Sequence, residues 1–171
     1  MEAQAVFEST PELIPPYRAE LRRNGRILLA EDDVQMRRLI ATVLRGAGHR
    51  VVEASDGTEV LERVESTIWH DRHDVFGLIV SDMSMPALTG LDVLAALRAA
   101  EVDTPFILIT AYGDAGVRAE AEWLGAHAVL DKPFSFDQLE RAVTNALRGV
   151  RERPRLRRPS ALRAHPTRTK H

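Results

Sequence analysis

Short, continuous apolar runs recur along the chain, separated by stretches whose apolar positions fall three and four residues apart. The runs are Ile27–Ala30, Val51–Val52, Leu78–Val80, Phe106–Ile109 and Ala128–Leu130. Unbroken runs of this length suit strands buried on both faces. Between the first two, Met36, Leu39, Ile40, Val43 and Leu44 predict a helix over 34–47, closed by Gly46 and Gly48. Val60, Leu61 and Val64 predict a second helix over 58–69, and further helices are expected over 91–100 and 115–124. The last begins at Ser135, where Gln138 completes a capping box, and its apolar face is Leu139, Ala142, Val143, Ala146 and Leu147. Five strands alternating with five helices predict an α/β fold, a doubly wound parallel sheet with helices on both faces.

The pattern is confined to the middle of the chain. Residues 1–24 carry Pro11, Pro15 and Pro16 without a sustained period and are expected to form a mobile leader. Residues 149–171 form an Arg-rich tail, expected to be disordered, in which Pro154, Pro159 and Pro166 interrupt any helix. Charge divides along the same lines. The net charge of -2 averages an acidic stretch, 1–150, with 15 basic and 24 acidic groups, and a basic one, 151–171, with eight basic groups and Glu152. Of 23 basic residues only Lys132 and Lys170 are lysines. The absence of cysteine excludes disulfides, thiolate metal sites and a Cys nucleophile. The apolar runs are far shorter than the ~20 residues of a membrane span, and the start lacks a secretory pattern. The expectation is a soluble, cytoplasmic protein without a membrane partner.

In a parallel sheet of this kind, ligands bind beyond the carboxyl ends of the strands. The polar residues that follow each apolar run therefore carry the chemistry. They are Glu31, Asp32 and Asp33 after the first, Asp82 after the third, Thr110 after the fourth, and Asp131, Lys132 and Pro133 after the fifth. If the first, third and fourth strands are neighbours, several carboxylates, a hydroxyl and an ammonium share one crevice. Clustered carboxylates repel, and a divalent cation relieves that cost; all-oxygen ligands favour Mg2+ over Zn2+. A carboxylate beside Mg2+ can attack phosphorus and form an acyl phosphate. The hydroxyl and ammonium would contact the transferred phosphoryl oxygens.

The stretches Ile27–Arg38 (ILLAEDDVQMRR), Leu78–Gly90 (LIVSDMSMPALTG), Ile107–Gly113 (ILITAYG) and Gly125–Phe134 (GAHAVLDKPF) together resemble the receiver domain of bacterial two-component response regulators. The resemblance covers 25–148 and implies a flavodoxin-like (βα)5 fold with strand order 2-1-3-4-5, as in chemotaxis-type regulators. It implies Asp82 as phosphoacceptor, with Mg2+ held by Asp32, Asp82, the backbone carbonyl of Ser84 and, largely through water, Glu31. Thr110 and Lys132 would contact the phosphoryl group, and Pro133 would follow a cis peptide. Ser84 and Tyr112 lie where receivers tune hydrolysis. One position departs from the pattern: receivers usually carry Tyr or Phe three residues before the lysine, and Val129 stands there. A β-branched side chain has no hydroxyl and little swing. Trp123, late in the fourth helix, is the candidate aromatic on that face, against ordinary packing or lone exposure.

The function expected is a single-domain response regulator, phosphorylated on Asp82 by a sensor histidine kinase. It would signal to a downstream protein through phosphorylation-dependent contacts, and it is not a dedicated enzyme beyond any autodephosphorylation. A phosphorelay intermediate would use the same site residues. A regulator binding nucleic acid through Arg151, Arg153, Arg155, Arg157, Arg158, Arg163, Arg168 and Lys170 is the other alternative, although that segment has no aromatic for stacking. A haloacid-dehalogenase-type phosphatase requires a second Asp two residues after the nucleophile, where this chain has Ser84. Asp33 reads better as a helix N-cap than as a ligand. His70 and His73 lie in an expected surface loop rather than a metal site.

Overall fold

The computed structural model of the chain describes residues 25–70, 75–111 and 115–152. Elements alternate along it: β1 (Arg26–Ala30), α1 (Val34–Gly46), β2 (Arg50–Ala54), α2 (Gly57–His70), β3 (Leu78–Asp82), α3 (Gly90–Ala99), β4 (Phe106–Thr110), α4 (Ala115–Trp123), β5 (Ala128–Asp131) and α5 (Phe136–Glu152). The leader expected over 1–24, His73, Tyr112 and all but the first residues of the basic segment lie outside the described residues, as does the side chain of His70.

The five strands are parallel in the order β2-β1-β3-β4-β5. This is the flavodoxin-like arrangement. Successive strand residues face opposite sides of the sheet, so the apolar runs feed two cores. Ile27, Leu29, Leu78, Val80, Ile107 and Ile109 meet Ile40, Ala41 and Leu44 of α1 and Leu139, Val143 and Ala146 of α5. On the opposite face Leu28, Ala30, Ile79, Phe106 and Leu108 meet α2, α3 and α4 through Val60, Val64, Leu94, Leu97 and Ala121.

β3 and β4 are buried at every position, as a run apolar on both faces requires. β2 differs: it extends over Arg50–Ala54, beyond the two valines, because pairing with β1 from Arg26↔Arg50 to Ala30↔Ala54 orders it. It is an edge strand, so Arg50 and Glu53 are tolerated within it. Local chemistry sets the helix ends. Asp33 caps α1 by accepting the Met36 N–H at 2.7 Å, and Gly48 takes a φ of 89° beyond its end. Thr89 and Asp92 form a reciprocal capping box on α3. Ser135 and Gln138 do the same for α5, with Ser135 N–H to Gln138 Oε1 at 2.8 Å and Gln138 N–H to Ser135 Oγ at 3.2 Å. That helix runs on to Glu152, past residue 148.

Candidate functional site

Because the strands are parallel, their carboxyl ends share one edge of the sheet, and the central position of β1, β3 and β4 brings their terminal residues together. Asp82 is the last residue of β3 and is 4% exposed; Glu31, one residue beyond β1, is 2% exposed; Thr110 ends β4 at 2%. Burial of polar groups at this level needs compensation. Lys132 supplies it. Its Nζ lies 2.6 Å from Asp82 Oδ1 and donates to Glu31 Oε2 at 2.8 Å, bridging residues far apart in sequence. The β5 end is held in place by the Lys132 N–H, which donates to the Thr110 carbonyl at 2.8 Å, and the Lys132–Pro133 peptide is cis.

The remaining Asp82 oxygen, Oδ2, accepts the Ser84 N–H at 2.7 Å, so the carboxylate is oriented from both sides. Glu31 is held still more fully: its N–H donates to the Ala54 carbonyl at 3.3 Å and its Oε1 accepts the Asp33 N–H at 3.4 Å. Burial raises the Glu31 pKa above the ordinary carboxyl value; the Lys132 hydrogen bond opposes this and the neighbouring Asp82 charge reinforces it. For Lys132, burial alone would lower the pKa, but bonds to Asp82 and Glu31 outweigh it and the net shift is upward.

Glu31, Asp32 and Asp82 each offer a carboxylate oxygen within 4.8 Å of the others, with Asp32 exposed and the other two buried. The Lys132 ammonium contacts two of these three carboxylates, Glu31 and Asp82. The donor set is hard oxygen throughout, and it fits a divalent cation of the Mg2+ type.

The structure separates the other strand-end candidates. Asp33 caps α1 through its side chain and is not one of the three clustered carboxylates. Asp131 is also outside it, forming an ion pair with Arg118 of α4. Val129 is half-buried and packs on the core face shared with α2, α3 and α4, in register with Leu108. Trp123 is 84% exposed, which favours the lone exposed aromatic over packing. Two arginine contacts carry no signal in the sequence: Arg118, which holds Asp131 outside the cluster, and Arg37, whose Nη1 donates to the Glu31 carbonyl at 2.5 Å. In a chain with 21 arginines no local signal marks either, since their partners are set by packing.

Residues 27–144 match the family described as the response regulator receiver domain. Among curated proteins, the chain is 39% identical over 123 residues to a probable transcriptional regulator, ycf27, of Cyanophora paradoxa, covering 72% of this chain and 48% of that protein. It is 32% identical over 124 residues to the transcriptional regulatory protein FixJ of Bradyrhizobium diazoefficiens, covering 72% and 57%. Among solved structures, the receiver domain of Francisella response regulator 1452 aligns with a TM-score of 0.66 at 30% identity, over 74% of this chain and 99% of that one. The chemotaxis response regulator CheY4 of Vibrio cholerae aligns at 0.62 and 27%, over 71% and 98%. The chain spans about half the length of the ycf27 and FixJ relatives it matches. Among the described residues no helix is long and apolar enough to cross a membrane.

Proposed function

Because the chain belongs to the response regulator receiver-domain family, we propose that Asp82 accepts a phosphoryl group from the phosphohistidine of a sensor histidine kinase. The observation that carries this reading is the Asp82 carboxylate itself: buried, oriented by Ser84 N–H and Lys132, and within 4.8 Å of two further carboxylates. An Asp82 oxygen would form the new P–O bond as the P–N bond to the kinase imidazole breaks. Mg2+, held by Asp32, Asp82, the Ser84 carbonyl and, less directly, Glu31, would neutralise phosphoryl charge when bound. Lys132 already lies against Asp82 and would exchange a carboxylate contact for a phosphoryl oxygen. Thr110, at the adjacent strand end, would supply the hydroxyl.

The added charge of about -1.5 to -2 would shift a two-state equilibrium of the loops after β3 and β4. The altered surface would then be read by a downstream protein. Val129 has no large ring to reposition, so we place the readout in α4 and the β5 end rather than in an aromatic switch. The domain acts as a signalling element and not as a dedicated enzyme. A second reading is favoured by the relatives being transcriptional regulators: the basic residues beyond Glu152 would contact nucleic acid. Deleting residues 153–171 and measuring DNA binding across salt concentrations tests that reading, since phosphate contacts produce a steep salt dependence.

The primary test is incubation with a small-molecule phosphodonor and Mg2+, followed by intact mass. The wild type gains one phosphoryl group and Asp82→Asn gains none. Labelling of that variant to the wild-type extent would reject the site.

A further inference from the structure

The turn that carries Glu31 and Asp32 leaves the sheet at the end of β1, so the carbonyls of these two residues lie beyond the last ladder position. Both are taken up by one side chain. Arg37 of α1 donates from Nη1 to the Glu31 carbonyl at 2.5 Å and to the Asp32 carbonyl at 3.3 Å. Its Nε lies 3.6 Å from Glu53 Oε2 on β2, and its side chain is only 15% exposed. Glu53 is anchored in turn: Arg45, two helical turns further along α1, meets Glu53 Oε1 at 2.9 Å and donates to the Val51 carbonyl at 3.0 Å. The acidic turn is thus tied to α1 and to the edge strand by one guanidinium.

We propose that Arg37 is a positioning residue for the cation site: it holds the backbone of Glu31 and Asp32 so that their carboxylates converge on Asp82. This rests on the reading of Glu31, Asp32 and Asp82 as an Mg2+ site. A planar guanidinium suits the task because separate N–H groups address the carbonyls and the Glu53 carboxylate at once; a Lys ammonium is a single point on a flexible stem. Outer partners of this kind fix first ligands in space, and their loss typically weakens metal binding about 10–100-fold.

Charge and positioning predict opposite outcomes. Arg37 is a cation near a cation site, so if its field were what mattered, Arg37→Gln would tighten Mg2+ binding. If it positions the turn, the same change loosens binding although a repulsive charge has gone.

The test is an Mg2+ titration of the full chain by calorimetry, with the Mg2+ dependence of Asp82 labelling by a small phosphodonor measured in parallel. Arg37→Gln is expected to raise the Mg2+ dissociation constant about 10-fold or more, with labelling restored to the wild-type plateau at saturating Mg2+. Arg37→Lys, which retains charge and stem packing, should bind more weakly than the wild type, and it carries the test should Arg37→Gln fail to fold. Unchanged or tighter binding by these variants, beside normal binding by the wild type, overturns the inference and leaves the metal site standing. A wild type that binds no Mg2+ removes the metal site and the inference together.

Discussion

Replacing Lys132 by Met removes the ammonium but keeps an unbranched stem, and the cost follows from what the ammonium touches. Its partners, Glu31 and Asp82, have side chains 2% and 5% exposed. Removing one member of a buried ion pair costs about 3–5 kcal/mol, because the remaining charge is left uncompensated. Lys132 is itself 24% exposed, so solvent recovers part of the loss and the expected cost at neutral pH is about 3 kcal/mol. The loss also has a direction in pH. Burial already raises the folded-state pKa of Glu31 above 4.5, with Lys132 opposing that rise and Asp82 adding to it. Without the ammonium the opposition disappears and the pKa climbs further. A carboxyl raised in the folded state binds its proton more tightly there than in the unfolded chain. Its contribution to stability is therefore largest below the unfolded value and falls as pH rises towards the folded one, by up to about 1.4 kcal/mol per pH unit. Lys132→Met should be closest to wild type at low pH and diverge from it as pH rises above 4.5. Mg2+ should narrow the gap, because a ligand that binds only the folded state stabilises it and here also restores positive charge. Urea denaturation followed by circular dichroism, at several pH values and with or without Mg2+, measures each part. A difference from wild type that stays flat across this pH range would refute the reasoning.

Gly90→Ala is expected to destabilise by about 1–3 kcal/mol, the usual range for overpacking, and to slow Asp82 labelling. A Cβ there would sit 2.5 Å from the Asp82 carbonyl oxygen and 2.6 Å from Leu108 Cδ1, and the first of these is backbone that cannot swing aside. Urea midpoints and labelling rates check it. His49 has a buried Nδ1 with no hydrogen-bond partner among the described residues, and burial lowers its pKa below 6.5 against the opposing charge of Glu140. Its neutral form supports the fold above 6.5, and that support is lost as pH falls towards the lowered folded value. The melting temperature of His49→Gln should accordingly fall less steeply than that of the wild type on acidification. Trp123→Ala should change stability by less than about 0.5 kcal/mol, since an 84%-exposed side chain has little burial to lose. Thermal unfolding tests this, and a larger loss would show that the indole packs on the fold.

Much of the architecture was legible because it depends on local period. Phe106–Ile109 is apolar without a break and can be satisfied only by burial on both faces, so its identity as an inner strand needs no long-range information. The caps at Asp33 and Ser135 are equally local. β2 was legible only in part, because Arg50 and Glu53 are polar and the strand is completed by its register with β1. At the site, the strand-end rule was enough to single out Glu31, Asp82, Thr110 and Lys132. Helix-cap chemistry set Asp33 apart from them, but nothing local separated Asp131, which stands at a similar strand end and pairs with Arg118 instead.

By itself, then, the sequence determined the alternation of strands and helices, the side of the sheet on which polar residues gather, and the chemical inventory of that edge. Each follows from patterns a few residues long or from the handedness that parallel connections obey. Only the tertiary structure decided which of those residues meet. Strand order places Glu31 beside Asp82, and a lysine 101 residues from Glu31 closes the pair. The grip of Arg37 on the acidic turn likewise requires α1, β1 and β2 to be assembled. Electrostatic contacts fall off over a few ångströms, so their partners are set by the packing of distant elements and not by spacing along the chain.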